Sequence, residues 1–185
     1  MNSGMSDLLL STLGKVLLPA AAIVGMLFAA RRRKLSYADD LGLKAPKLGV
    51  AALCIALWIV LITIEEQLTG SIEDAQAKPW PDYPAIIIVL RVLAIGFIGP
   101  IAEELAFRGL LMAALRRMRV AAPWAILLAA ALWSIIHLQY SPLLLALIVV
   151  DGIALGSARY FSGSLYVPIA MHMIGNLVSI YQSLA

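Results

Sequence analysis

The stretch "PIAEELAFRG", Pro100–Gly109, sets two adjacent glutamates and an arginine inside an otherwise apolar run. The fifteen residues before it, "AIIIVLRVLAIGFIG", carry a single charge, Arg91, and the ten after it, "LLMAALRRMR", end in a basic cluster. A run of about 20 apolar residues is what ~30 Å of hydrocarbon requires. Glu103, Glu104 and Arg108 therefore lie where a membrane span is ending or still running, and they need a physical reason to be there.

The rest of the chain has the same character. It is 62% hydrophobic and only 14% charged over 185 residues, with mean hydropathy +0.93, which exceeds what a soluble core needs. The length bounds it to a single membrane domain over 1–185. The net charge of +3 says nothing for nucleic acid, because the basic residues sit at the ends of apolar runs. Cys54 is the one cysteine and lies in mid-span, so no disulfide framework exists. The first apolar run, Leu8 to Ala30, is followed rather than preceded by its basic cluster, Arg31 to Lys34. A signal peptide has the reverse order, so this run reads as a retained span in which Lys15 snorkels toward the outer interface.

The expected fold is all-α: a polytopic bundle of about six transmembrane helices, since only helices or closed barrels satisfy backbone groups in lipid. The spans read as 8–30, 48–69, 84–102 continuing as helix to about 118, 122–139, 142–160 and 165–184. With the N-terminus outside, one face receives Arg31, Arg32, Arg33, Lys34, Lys44, Lys47, Arg116, Arg117, Arg119 and Arg159, ten of the fourteen basic residues. The other face receives "GSIEDAQAKPWPDYP", with Glu73, Asp74 and Asp82 against Lys78. Every loop then obeys the positive-inside rule. This implies the cell (inner) membrane, with both termini outside and Trp80 and Tyr83 in the outer aromatic belt.

Within the spans few ionisable residues remain: Lys15, Arg91, Glu103, Glu104, Arg108, His137, Asp151 and His172, with Glu65 and Glu66 near an outer end. Each charge at the bilayer centre costs at least ~2.5–3.5 kcal/mol, so they must face one another or a wet cavity. Glu104 and Arg108 are spaced i, i+4 with the acid first, the favourable order for a pair on one helix face. Glu103 then points away and is left for other work, unless the cluster is a purely structural ion pair. Glu103 lies seventeen residues before the turn at Val120 and His137 seventeen after it, so two straight helices carry them to one depth, in the cytosolic half. The next turn, near Ser162, sets His172 ten residues beyond and Asp151 eleven before. Asn176 follows His172 by one helical turn and faces the same way. Pro100 is expected to kink the third span, and Pro168 the last. Arg91 is expected to meet an acid or snorkel outward. Asp151 either steadies His172 or, with Gly152 and Gly156, belongs to a packing face of small residues.

Three motifs in this order, "EELAFR", "WSIIH" and "HMIGN", resemble those of the CAAX-processing and bacteriocin-processing (Abi) family of intramembrane endopeptidases. The resemblance covers 84–184, a protease core; the two spans within 1–70 match no family. The second motif usually opens with Phe, and Trp133 stands there, where a packing role is expected.

Peptide hydrolysis needs an activated water, a stabilised oxyanion and a proton for the leaving amine. Glu103 is the candidate base. His137 would share in orienting the water, while His172 and Asn176 would donate to the oxyanion. Glu104 and Arg108 would support them. The resemblance implies the same division of labour, and substrates that are prenylated tails, peptide leaders or membrane-bound sorting tails. The implied partners are thus a membrane-anchored peptide or protein and the bilayer.

No cofactor is favoured. If zinc or another divalent metal is used, Glu103, His137 and His172 are its ligands. His-Glu-x-x-His is missing, and Asn176 suits an oxyanion better than zinc. The rivals from other classes are a small proton- or ion-coupled transporter, against which no inverted repeat is visible, and a non-catalytic immunity factor.

Overall fold

The computed structural model describes residues 3–73, 80 and 83–184. They form six helices: α1 (Ser3–Arg32), α2 (Leu48–Glu73), α3 (Ala85–Arg117), α4 (Ala122–Ile135), α5 (Pro142–Ser162) and α6 (Tyr166–Leu184). No strand occurs among the described residues. The chain is a polytopic helical bundle. Leu10, Leu18, Leu48, Leu57 and Val24 are exposed on the outside of α1 and α2, a surface that suits lipid and not water. α1, α2, α3 and α5 are long and apolar enough to cross a bilayer. α6 has 19 residues and carries His172 and Asn176.

α4 is shorter than its expected span of 122–139. Its 14 residues cover about 21 Å. The cause is local. In an unbroken helix the Trp133 carbonyl would accept from the backbone N–H of His137, but that N–H bonds Ser134 O at 2.9 Å. Trp133 O accepts instead from the N–H of Ile136 at 3.3 Å, three residues on, and the His137 imidazole joins it, Nδ1 to Trp133 O at 3.0 Å. The chain then turns, and Ser141 caps α5 by accepting from the N–H of Leu144, with Pro142 in the first turn. His137 consequently sits in a turn rather than on a helix.

α3 is one rod of 33 residues with two π-helical stretches, Ala94–Ile98 and Leu105–Leu111. Pro100 explains the first. The N–H of Gly99 bonds Ala94 O, five residues back, and Pro100 has no N–H to offer Ile95 O. The expected disturbance at Pro100 is thus a widened turn just ahead of the glutamates, a device common at functional sites.

α4 and α5 pack at close range because α5 presents glycines. A Cβ at Gly152 would lie 2.8 Å from that of Ala130, and one at Gly156 3.0 Å from Ile126 Cγ2. The packing face of small residues is real.

One end of the bundle gathers the basic residues. Asp40, in the α1–α2 loop, pairs with Arg116 and Arg117 of α3, each at 3.1 Å, and its carbonyl accepts from Arg159 of α5. The N–H of Ser36, then the charge and hydrogen bonds of Arg117 and Arg116, hold the Asp40 carboxyl below its ordinary value against partial desolvation. Gly42, at φ 78°, lets the loop turn while the Arg159 guanidinium lies against it, and its carbonyl accepts from the N–H of Leu165 at 2.7 Å.

At the opposite end Trp80 N donates to Ser183 O of α6. The acidic segment around it, Asp74 to Lys78 and Asp82, lies outside the described residues. Arg91 is held against aromatic rings among the described residues. It lies over the rings of Tyr83 (4.7 Å) and Trp80 (5.5 Å) and reaches Thr12 Oγ1 at 3.4 Å. Trp80 is therefore buried beneath a cation rather than set in a lipid-facing belt.

Candidate active site

The two glutamates differ as their helix phase requires. Glu104 and Arg108 are fully buried, and Arg108 Nη1 donates to Glu104 Oε1 at 2.9 Å. Arg108 Nη2 donates to the Gly152 carbonyl at 3.1 Å, and its guanidinium lies 4.7 Å over the Trp133 ring. Glu103, one residue earlier, keeps 30% of its side chain exposed. It faces a cavity of about 680 Å³.

His172, on α6, reaches back to the buried pair. Its Nδ1 lies 3.0 Å from Glu104 Oε1. A carboxylate paired with arginine accepts, so Nδ1 carries the hydrogen and Nε2 is the nitrogen left for chemistry. Nε2 stands 4.0 Å from Glu103 Oε2. Glu104 is thus a group that orients His172. Asp151 lines the cavity and acts electrostatically on Arg108.

Trp133 does more than pack. Its indole N–H donates to Glu103 Oε2 at 2.6 Å, a bond phenylalanine cannot make. Its ring stands edge-on between the imidazoles of His137 (5.1 Å) and His172 (5.3 Å). All three motifs therefore meet on one indole. The Trp in place of Phe was the visible signal; its N–H is what mattered.

His137 is half-buried on the cavity wall, with Nδ1 spent on Trp133 O. Asn176 also lines the cavity, but one of its two amide hydrogens is used. Nδ2 donates at 2.7 Å to Ile95 O, the carbonyl that the π-helical turn and Pro100 left without a helical donor. Asn176 thus ties α6 to α3, a role invisible in "HMIGN".

Glu103, His137 and His172 form no group of metal-binding spacing, nor does any other set among the described residues. His172 Nδ1 and Glu103 Oε2 are also occupied by protein partners.

From Glu103, His137 and His172 the cavity continues past Lys15, Glu65 and Glu66 to Thr69, Trp80 and Ser183. Thr69 and Ser183 lie near the ends of α2 and α6 that are remote from the basic loop. The cavity thus runs from mid-bundle away from the basic face.

A protein-family model described as "Type II CAAX prenyl endopeptidase Rce1-like" matches residues 85–178, half of the chain. The chain belongs to this family. The match begins with α3 and takes in Glu103, Glu104, Arg108, Trp133, His137, His172 and Asn176, while α1 and α2 lie outside it. No curated protein and no solved structure matches the chain. Membership makes it a multi-pass membrane protein of CAAX endopeptidase type, acting on a membrane-associated substrate, and displaces the transporter reading.

Proposed function

We propose that this protein hydrolyses a peptide bond of a membrane-anchored substrate with water activated by Glu103, and without a metal. The observation that carries the reading is the inequality of the adjacent carboxylates. Glu104 is neutralised and enclosed by Arg108 and His172, while Glu103 opens on the cavity with one oxygen held by an indole N–H. A held but accessible carboxylate is what a general base requires.

In the proposed reaction Glu103 takes a proton from water as the water oxygen bonds to the scissile carbonyl carbon. The carbonyl π electrons move to oxygen. His172, its Nδ1 hydrogen on Glu104 and Nε2 protonated, donates to that oxyanion together with the second amide hydrogen of Asn176. Collapse restores the carbonyl and breaks the C–N bond, and Glu103 returns its proton to the leaving amine. His137 Nε2, the free nitrogen of its ring, helps to orient the water. Glu104 and Arg108 position His172 without touching substrate.

The test is single-turnover cleavage of an internally quenched, lipid-anchored CAAX-type peptide alongside a pool of quenched peptides with apolar anchors. Glu103→Gln should abolish cleavage while the thermal unfolding midpoint stays near that of the wild type. A Glu103→Gln protein that still cleaves would show that the base lies elsewhere.

A further inference from the structure

Trp58, in the middle of α2, is 4% exposed, and its indole Nε1 has no hydrogen-bond partner among the described residues. An indole N–H is donor only, and enclosing one without an acceptor is unfavourable. Trp133 shows what pairing looks like in this bundle: its N–H reaches a carboxylate. Trp58 sits in the same apolar cluster as Trp133 and Met171, so its ring needs no N–H to pack there.

The place of that N–H is informative. Trp58 lines the catalytic cavity. The Cζ2–Cε2–Nε1 edge of its indole lies against α6 at Gly175, where an added Cβ would come 3.2 Å from Cζ2 and 3.9 Å from Nε1. Gly175 falls between His172 and Asn176, the two residues proposed to hold the oxyanion. The absence of a side chain at 175 is what lets the indole approach. An unpaired donor therefore stands beside the proposed chemistry, on a helix that the family match does not cover.

We propose that Trp58 is a substrate-binding residue whose indole N–H donates to a backbone carbonyl of the bound polypeptide, close to the scissile bond. The inference rests on the hydrolytic reading of the cavity. A polypeptide segment is the ligand because it brings an acceptor at every residue, while its apolar side chains suit Ile62, Ile148 and Leu155 around the same cavity. α2 then contributes directly to the site, and the catalytic half alone is incomplete.

Trp58→Phe keeps an aromatic ring in the cluster and removes the N–H together with the second ring of the indole. Two readouts decide the matter. In the free protein the thermal midpoint of Trp58→Phe should fall only by the cost of the lost ring volume, which Trp133→Phe shares, because no bond within the fold is lost. Trp133→Phe, which does lose one, should fall below it. With a quenched anchored peptide that the wild type cleaves, Trp58→Phe should raise KM roughly three- to tenfold and leave kcat within about twofold. A midpoint lowered as far as that of Trp133→Phe means the N–H is already paired within the fold and overturns the proposal. An unchanged KM overturns it equally. If Glu103→Gln cleaves as fast as the wild type, the catalytic reading fails, while the stability comparison still reports on Trp58.

Discussion

The buried pair of Glu104 and Arg108 allows a prediction with a sign that most salt bridges do not permit. Both side chains are fully enclosed and joined at 2.9 Å. At an effective dielectric of about 20, that separation corresponds to roughly 6 kcal/mol of gross attraction, much of it offset by desolvation. Removing one partner is a different matter, since it strands the other charge at a cost of about 3–5 kcal/mol. Glu103 and Asp151 also act on the Arg108 guanidinium, and Gly152 still accepts from it, so Glu104→Gln falls at the low end, near ~3 kcal/mol. For a protein of this size that is about 6–12 °C in the unfolding midpoint. Activity falls as well, because His172 Nδ1 loses the carboxylate that orients it.

The decisive variant is the double one, Glu104→Gln/Arg108→Met, which leaves no charge of the pair behind. Replacing both members of a buried pair is often neutral, so its stability should recover to within ~1–2 kcal/mol of the wild type while cleavage stays lost. The assay is thermal unfolding in detergent for the wild type, both single variants and the double variant, with single-turnover cleavage on each. A double variant no more stable than Glu104→Gln would refute the coupling. A Glu103→Gln variant destabilised as much as Glu104→Gln would refute the division of labour between the two acids.

Four further outcomes follow from the same geometry. Exhaustive dialysis against a strong chelator should leave cleavage unchanged, with zinc substoichiometric by elemental analysis; inactivation reversed by added zinc would establish a metalloprotease. Asn176→Ala strands the Ile95 carbonyl and removes an oxyanion donor, so it should cost about 1–3 kcal/mol of stability and lower the saturated single-turnover rate roughly a hundred- to a thousandfold. A change confined to substrate affinity would instead make it a substrate-positioning residue. On a Cys54→Ser background, cysteines at Arg33 and Arg119 should label from the cytoplasm and one at Ser183 from outside, so that the cavity opens outward; Arg119 and Ser183 on one face would end that topology. Asp40 titrates below the ordinary 3.8, so its grip on Arg116 and Arg117 is present above that value and lost only as pH falls through the lower folded one. The midpoint difference between wild type and Asp40→Asn should therefore be the same at pH 5 and pH 8 and shrink below about pH 4.

Much of this site was legible because a bilayer leaves polar groups few choices. Glu104 and Arg108, four apart in an apolar run, had to pair, and they do; that left Glu103 for the cavity. Loop charge sufficed to bring Arg116, Arg117 and Arg159 to one end, where Asp40 meets them. What stayed hidden depends on backbone that periodicity does not report. The end of α4 at Ile135 goes with backbone bonds that tighten from four residues to three, and with an imidazole that joins the Trp133 carbonyl. The role of Asn176 follows from a proline that offers no N–H one turn ahead of the glutamates. Neither changes the hydropathy of its span.

The bond of Asn176 and two others between helices bear on how the site is built. Each acceptor takes its donor from another helix: Ile95 O from α6, Glu103 Oε2 from α4, Gly152 O from α3. In lipid an unpaired group of this kind costs several kcal/mol, so a helix that supplies the partner is held in place by it. The reactive residues are therefore cross-linked by hydrogen bonds among α3, α4, α5 and α6, the helices that the family match spans in whole or part. On α2, the Trp58 N–H has no partner among the described residues. With the proposed reactive residues pinned among α3 to α6, the enclosed Trp58 N–H is a donor on α2 that a carbonyl of a bound polypeptide would pair, as proposed above.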